Sequence, residues 1–519
     1  MIRHSEYSED LIESRVEAHD SHHFEVKLDY SIDPTRARNR YKVEAYFFVP
    51  NSLGINRETY NTRLFFRDVM GYIRFKTPRL ALDTILEPGY VRSPLYRIHR
   101  VLEKIRAGNT AQKLMNNLEH ELRLLGCLVR ANIRDHVREA VQVLPASLEE
   151  AGAGKMVELE EGMVELLHQV EAVLGEYRRL GPLLAGHEVS PIVEETCQWV
   201  DEYLSIVVES HLTILLETLD NERFRDTFKK VRGLARETLV RERAHRDSAG
   251  YPRILADGIP NEHYVYRKGL LKKLTMSVLF LRVKRKKEDN RLTDFVASIA
   301  AGVAMLFAAY ATIASQELYG LNTGPFVAAL VVSYILKDRI KDWIRRYSFS
   351  LLRERLWDRS IQIEDRSNGM VVGRCREAFD FISRSSIPER VFGFRHGWAP
   401  ESIEARSKHE TCMLYAKEIS LNGARIGDKH IRLLDINDIM RFSVSHFLLR
   451  ADDPKQTVRL YSVSRESVDL VECPKVYHIN LILKFFSGPG YQDVSMERVR
   501  VIMDGEGIRA IDHIPEKGG

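Results

Sequence analysis

The chain has little cysteine: five residues in 519, at Cys127, Cys197, Cys375, Cys412 and Cys473, with no C-x-x-C pair among them. That count and spacing exclude a disulfide framework and a zinc ribbon, and they point to a reducing compartment. The opening residues, MIRHSEYSEDLIESRVEAHD, hold no apolar core segment, which excludes a secretory signal peptide there. The long region before the first apolar run is therefore expected in the cytosol. Charge of one sign is not in excess either. The net is only +4 in a chain that is 29% charged, so the basic surface of a dedicated nucleic-acid binder is missing and no nucleic-acid partner is expected. Common chemical motifs are absent as well: no Walker phosphate loop, no G-x-S-x-G elbow, no H-E-x-x-H and no G-x-G-x-x-G. No cofactor, catalytic residue or metal-ligand set is assigned.

One further absence is local. Phe295 to Gln316 is a run of 22 residues without a charge. As a helix it would span roughly 33 Å, enough for a hydrocarbon core of roughly 30 Å. A second uncharged run, Leu318 to Leu336, follows Glu317. Asn322 or Thr323 suits its N-cap and Pro325 its first turn. That start leaves twelve uncharged residues before Lys337, which is short for a span. Lys337, Arg339 and Lys341 would extend it by snorkelling to headgroups.

What is present around these runs is basic. Arg267 to Arg291 carries ten Lys/Arg against two Asp/Glu, and Lys337 to Arg359 carries eight against four. The positive-inside rule then puts both ends of a helical hairpin in the cytoplasm and its short turn outside. The expected partner is a bilayer with an anionic inner leaflet, met by a basic collar of Lys284, Arg285, Lys286, Lys287, Lys337, Arg339 and Lys341. Small residues at four-residue spacing, Ala300, Ala304 and Ala308, with Gly302, Gly324 and Ala328, would let the two helices approach closely. The competing reading is a helical pair buried in a soluble core, which has no need of basic flanks. The preceding stretch GLLKKLTMSVLFLRVKRKK reads equally as an inner-leaflet amphipathic helix or as part of the soluble fold.

The remainder reads as α+β. From about Ser93 to His245 the pattern is helical. Met156, Leu159, Met163, Leu166, Val170, Val173, Tyr177 and Leu180 alternate steps of three and four, an a/d seam. Ser190 with Pro191 and Glu194 opens another helix. These helices form an antiparallel bundle, either self-contained or offering its seam to a protein partner or a homo-oligomer. The ends are β-rich. Phe24 to Ile32 and Tyr41 to Val49 alternate as a hairpin-like pair, and Asn422-Gly423 reads as a two-residue hairpin turn. Tyr477 to Phe485 and Val499 to Met503 also alternate.

The resulting division is a β-containing region over 1–92, a helical bundle over 93–247, and a basic juxtamembrane segment over 248–293. A transmembrane hairpin follows over 294–337, then a basic helical connector and loop over 338–400 and a β-rich domain over 401–519. Weaker clusters carry little chemistry. His396, Trp398, His409, Glu410 and Cys412 lie close in sequence without a nucleophile pattern. His22 and His23 point to opposite faces of a strand, a poor metal site with Glu25. Asp435, Asn437 and Asp438 lack a calcium loop's glycine and read as a turn or cap. Arg36, Arg38 and Arg40 lie on a loop that would suit an anion. The expectation is an integral inner-membrane protein, both termini cytoplasmic, acting as a scaffold, sensor or assembly module. A membrane-tethered hydrolytic enzyme and an oligomerising membrane-perturbing effector are the alternatives.

Overall fold

A computed structural model of the chain describes residues 13–109, 111–150, 153–186, 189–252, 261–286, 291–320, 323–353, 357–366, 369–396, 410–427 and 435–514. It is mixed, 52% helical and 28% strand, which is the α+β class. Strands β1 (Glu13–Ala18), β2 (His23–Ser31) and β3 (Asn39–Pro50) come first, then α1 (Thr62–Asp68) running straight into β4 (Val69–Phe75). Helices α2 (Leu82–Leu86), α3 (Pro94–Arg106), α4 (Gln112–Glu150), α5 (Ala153–Leu184), α6 (Pro191–Leu219), α7 (Lys229–Ala249) and α8 (Glu262–Met276) follow. Strand β5 (Arg282–Lys286) leads to two long helices, α9 (Arg291–Tyr319) and α10 (Gly324–Arg353), and β6 (Arg359–Glu364) and β7 (Val371–Ile382) resume the sheet. Helix α11 (Glu389–His396), β8 (Glu410–Leu421), β9 (Asp435–Ser443), β10 (Lys455–Ser462), β11 (Ser467–Pro474), β12 (Tyr477–Ser487), β13 (Asp493–Met503) and β14 (Ile508–Ile514) complete the chain.

The strands form an eight-stranded sheet in the order β14-β13-β12-β3-β8-β7-β6-β5, a four-stranded sheet β1-β2-β9-β4, and a separate ribbon of β10 with β11. The two larger sheets pack face to face through aromatics. Phe442 of β9 stacks on Phe24 at 5.1 Å and meets Phe47 of β3 at 5.3 Å and Tyr415 of β8 at 6.0 Å. The N- and C-terminal β regions are thus one structure: β3 lies between β12 and β8, and β9 lies between β2 and β4.

Three sequence expectations change here. Strands β2 and β3 are not a hairpin but belong to different sheets. Their alternating apolar faces are satisfied across the sandwich, where Val26, Leu28, Val43, Ala45 and Val49 are all buried. The loop between them is braced by Asn39, whose side chain accepts from the Asp33 N–H at 3.1 Å and donates to the Asp33 carbonyl at 3.0 Å. Asn422-Gly423 is not a hairpin turn either; a short helix, Gly423–Gly427, follows β8, and β9 enters the other sheet. Gly423 is needed for close approach, since a Cβ there would sit 2.0 Å from the Asp33 carbonyl oxygen. Nor is 338–400 a helical connector: α10 runs on to Arg353, and β6 and β7 are strands of the large sheet. In β7 Cys375, Phe379 and Phe381 alternate inward, but the charged Glu377 takes an inward position between them and Val372 is out of phase, which hides the period of two.

The helices pack as a bundle. The α5 seam residues Met163, Leu166, Val170, Val173, Tyr177 and Leu180 are buried within the chain, as are Leu118, Leu122, Leu125, Ile133 and Val137 of α4. The lysine-rich stretch before α9 resolves into α8, which packs on α4 and α6, and then into β5. Inside the bundle a polar hub joins three helices. Arg178 of α5 reaches Asp201 of α6 at 3.0 Å and both Glu242 oxygens of α7, at 2.9 and 2.8 Å.

Candidate functional site

Helices α9 and α10 pack against each other as an antiparallel pair inserted between β5 and β6. Those strands are antiparallel neighbours, Arg282 opposite Glu364 and Lys286 opposite Ser360, so the chain leaves and re-enters the sheet at one place. Thr323 begins α10, its hydroxyl accepting from the Phe326 N–H, with Pro325 in the first turn. The contact face on α9 holds Ala300 and Ala304, both buried, and the half-buried Ala308. On α10 it holds Phe326, Ala329, Ser333, Lys337, Ile340 and Ile344, at the three-four spacing of one helical stripe. Gly302, Gly324 and Ala328 lie on outward, exposed faces, and a Cβ at Gly302 or Gly324 would meet nothing within 4 Å. The hydroxyls of Thr312 and Ser315 donate back to the carbonyls of Ala308 and Ala311, at 2.8 and 2.6 Å, so these polar groups are satisfied within the helix.

The outward faces are apolar. Leu306, Tyr310 and Leu318 are 73%, 74% and 75% exposed, and Val331, Val332 and Ile335 on α10 are exposed too. Ala297–Tyr319 is long and apolar enough to cross a membrane, and only 11% of its most apolar window is buried. It is the one such helix among the described residues. In α10 the charges from Lys337 onward cut the apolar stretch short.

The basic residues fall in two places, on β5 at the foot of this pair and midway along α10. Lys284 is exposed on β5 and pairs with Glu364 of β6 at 2.8 Å. Arg285 is also exposed; Lys286 ends β5, and Lys287 lies outside the described residues. Lys337 turns its ammonium over the Tyr334 ring at 3.9 Å, while Arg339 and Lys341 are exposed.

Beside the β5–β6 root is a cavity of about 690 Å³ lined by Arg63 and Arg67 of α1, Arg285 and Arg359, with Asn61 and Phe66. Sequence reading singled out only Arg285. The other three come from α1 and β6, which only the fold brings together. Arg359 lies over the Phe66 ring at 3.9 Å. Burial, and then the Arg285 charge, push its pKa down. Arg67 is held by His446 Nε2, and His446 Nδ1 lies 2.6 Å from Asp68 Oδ2, which also accepts from the Tyr60 hydroxyl at 2.8 Å. The Nδ1–Asp68 approach lacks hydrogen-bond geometry, so the imidazole engages Arg67 through Nε2 alone. Among the described residues no carboxylate forms an ion pair with any of the four arginines.

A smaller cavity of about 250 Å³ gathers Arg38, Arg374 and Arg425 at the other end of β6 and β7. Of the loop arginines noted in the sequence, Arg36 instead pairs with Asp33 at 2.9 Å, and Arg40 belongs to β3, opposite Ser420 of β8. The remaining clusters have structural roles. His23 Nδ1 lies 2.9 Å from Asp20, and Glu25 binds the Arg441 guanidinium. Asp435, Asn437 and Asp438 form part of strand β9, not a turn, and bond to Ser31, Asp29 and Lys417. Trp398 and His409 lie outside the described residues, and Cys412 is a buried thiol that burial, then Glu410, push up to about 12. Among the described residues no group of three or more histidine, cysteine or carboxylate side chains could hold a metal ion. No known family model matches the chain, and no curated protein matches it.

Proposed function

We propose that this chain is an integral protein of the inner membrane, held by the α9–α10 hairpin with both termini in the cytoplasm. Its sandwich and helical bundle act there as a scaffold or sensor module. The observation that carries this reading is that α9 is apolar on its outward face yet largely unburied. A core helix of a soluble domain buries such a window, and exposing it to water costs about 25 cal/mol per Å² of apolar surface. Lipid removes that cost. Three features support the same reading. The chain leaves and returns through adjacent antiparallel strands, so both ends of the hairpin share one side. The back-bonded hydroxyls of Thr312 and Ser315 need no water. Basic residues stand where the chain leaves the sheet at β5, as anionic headgroups would favour, and others lie midway along α10. Helix α10 completes the hairpin with its cationic half at the headgroup level, Lys337, Arg339 and Lys341 snorkelling.

Alkaline carbonate extraction of native membranes tests the anchor. The protein is expected in the pellet, released only by detergent. Recovery in the soluble fraction as a monodisperse species would overturn the reading.

A further inference from the structure

We propose that the cavity lined by Arg63, Arg67, Arg285 and Arg359 is a binding site for a phosphate-monoester group. Four guanidiniums converge on about 690 Å³ with no carboxylate paired to them among the described residues. That volume lies within the range of small-molecule sites, roughly 300–1,000 Å³, and suits a ligand larger than a bare ion. Two of the four are held ready. The Phe66 ring fixes the plane of Arg359, and His446 Nε2 engages one amino group of Arg67. A guanidinium held in plane, as that of Arg359 is, offers a paired N–H fork to a tetrahedral oxyanion, and four positive charges around one cavity favour two negative charges over one. Asn61 adds a neutral donor, because its side-chain oxygen already accepts from the Leu64 N–H at 3.1 Å and its amide N–H groups remain. Asp358 and Glu377, the carboxylates that act on Arg359, are engaged elsewhere: Asp358 accepts from the Phe379 N–H at 2.7 Å and Glu377 from the Tyr415 hydroxyl at 2.7 Å. They keep their charge and offset part of that of Arg359, but neither forms an ion pair with it.

The site sits at the foot of the hairpin, since Arg285 and Arg359 belong to the two strands that lead into and out of α9 and α10. The phosphate comes either from a lipid headgroup such as phosphatidate or from a soluble phosphate compound. Only the first source rests on the membrane reading above; the site itself does not.

The test uses the full chain in neutral detergent and reads its thermal midpoint. It is titrated with inorganic phosphate, with sodium chloride at matched ionic strength, and with dihexanoyl phosphatidate and dihexanoyl phosphatidylglycerol. A saturable upward shift with phosphate or phosphatidate, larger than with chloride and with the diester lipid, is expected. The double variant Arg63→Gln/Arg285→Gln, both exposed positions, should bind at least about tenfold more weakly. Arg359→Lys should fall in between, keeping the charge and losing the fork. A response to phosphatidate alone assigns the lipid source, and a response to phosphate alone the soluble one. Equal shifts in wild type and the double variant, or no advantage of either phosphate over its control, would overturn the proposal. Carbonate extraction fails or succeeds independently of these titrations, so the two readings are separable.

Discussion

Lys417 Nζ lies 2.6 Å from Asp438 Oδ1, and the two side chains are 3% and 0% exposed. One belongs to β8 of the large sheet and the other to β9 of the small sheet, so the pair bridges the sandwich. Removing one member leaves the other charge buried without compensation. Lys417→Met is therefore expected to cost about 3–5 kcal/mol in a urea unfolding experiment. The double change Lys417→Met/Asp438→Leu should recover most of that loss. A double variant as unstable as the single would show that the pair's partners, not the pair, matter.

Asp201 anchors the polar hub of the bundle. It accepts from Arg178 at 3.0 Å, lies 2.7 Å from His245 Nε2, and accepts from the Tyr251 hydroxyl at 3.0 Å. Burial pushes its carboxyl up, but the His245 contact and the Arg178 charge outweigh it and hold the pKa below the usual value. A carboxylate depressed in the folded state stabilises above its unfolded pKa of about 3.9 and loses that contribution as pH falls through the folded value. Asp201→Asn should therefore cost about 3 kcal/mol near neutrality. The gap to wild type should close only below about pH 4, as read by circular dichroism across pH. A gap independent of pH down to full acid unfolding would contradict this account.

Two glycines make opposite predictions. Gly423 faces the Asp33 carbonyl, so Gly423→Ala must push backbone aside and should cost about 1–3 kcal/mol. Gly302 faces open space, so Gly302→Ala should change stability by no more than about 0.5 kcal/mol. Thermal melts of both variants in one detergent decide it, and equal effects would refute the close-approach argument.

The hairpin's contact face is likewise checkable. Ala300→Leu and Ala304→Leu put extra methylenes where both residues are buried, and each should lower the melting temperature and weaken α9–α10 crosslinking. Gly302→Leu and Ala328→Leu, on exposed positions, should leave both unchanged. Crosslinking that responds equally to all four substitutions would remove this face from consideration.

Some of this was legible because it is local. The α5 seam, the Ser190-Pro191 start of α6, the Thr323-Pro325 start of α10 and the uncharged run in α9 are all periodicities or caps within a few turns of chain. The alternation of Val499, Val501 and Met503 was legible too, as strand β13, but its pairing with β14 was not read. Ala300, Ala304 and Ala308 could be picked from spacing, but Gly302, Gly324 and Ala328 could not be sorted from them. A four-residue step drifts against a 3.6-residue turn, and only the partner helix says which row is covered.

By itself the sequence determined the α+β composition, the helix ends with strong caps, and the isolation of charge from residues 295–316. Tertiary structure alone decided that β3 sits between β12 and β8, that β2 and β3 face each other across the sandwich, and that the hairpin grows from β5 and β6. It also decided that Arg63, Arg67, Arg285 and Arg359 share one cavity. The physical reason is range. Helix periods and caps are set by neighbours a few residues apart, whereas strand pairing and the meeting of like charges depend on residues hundreds of positions away, brought together by burial that has no local pattern.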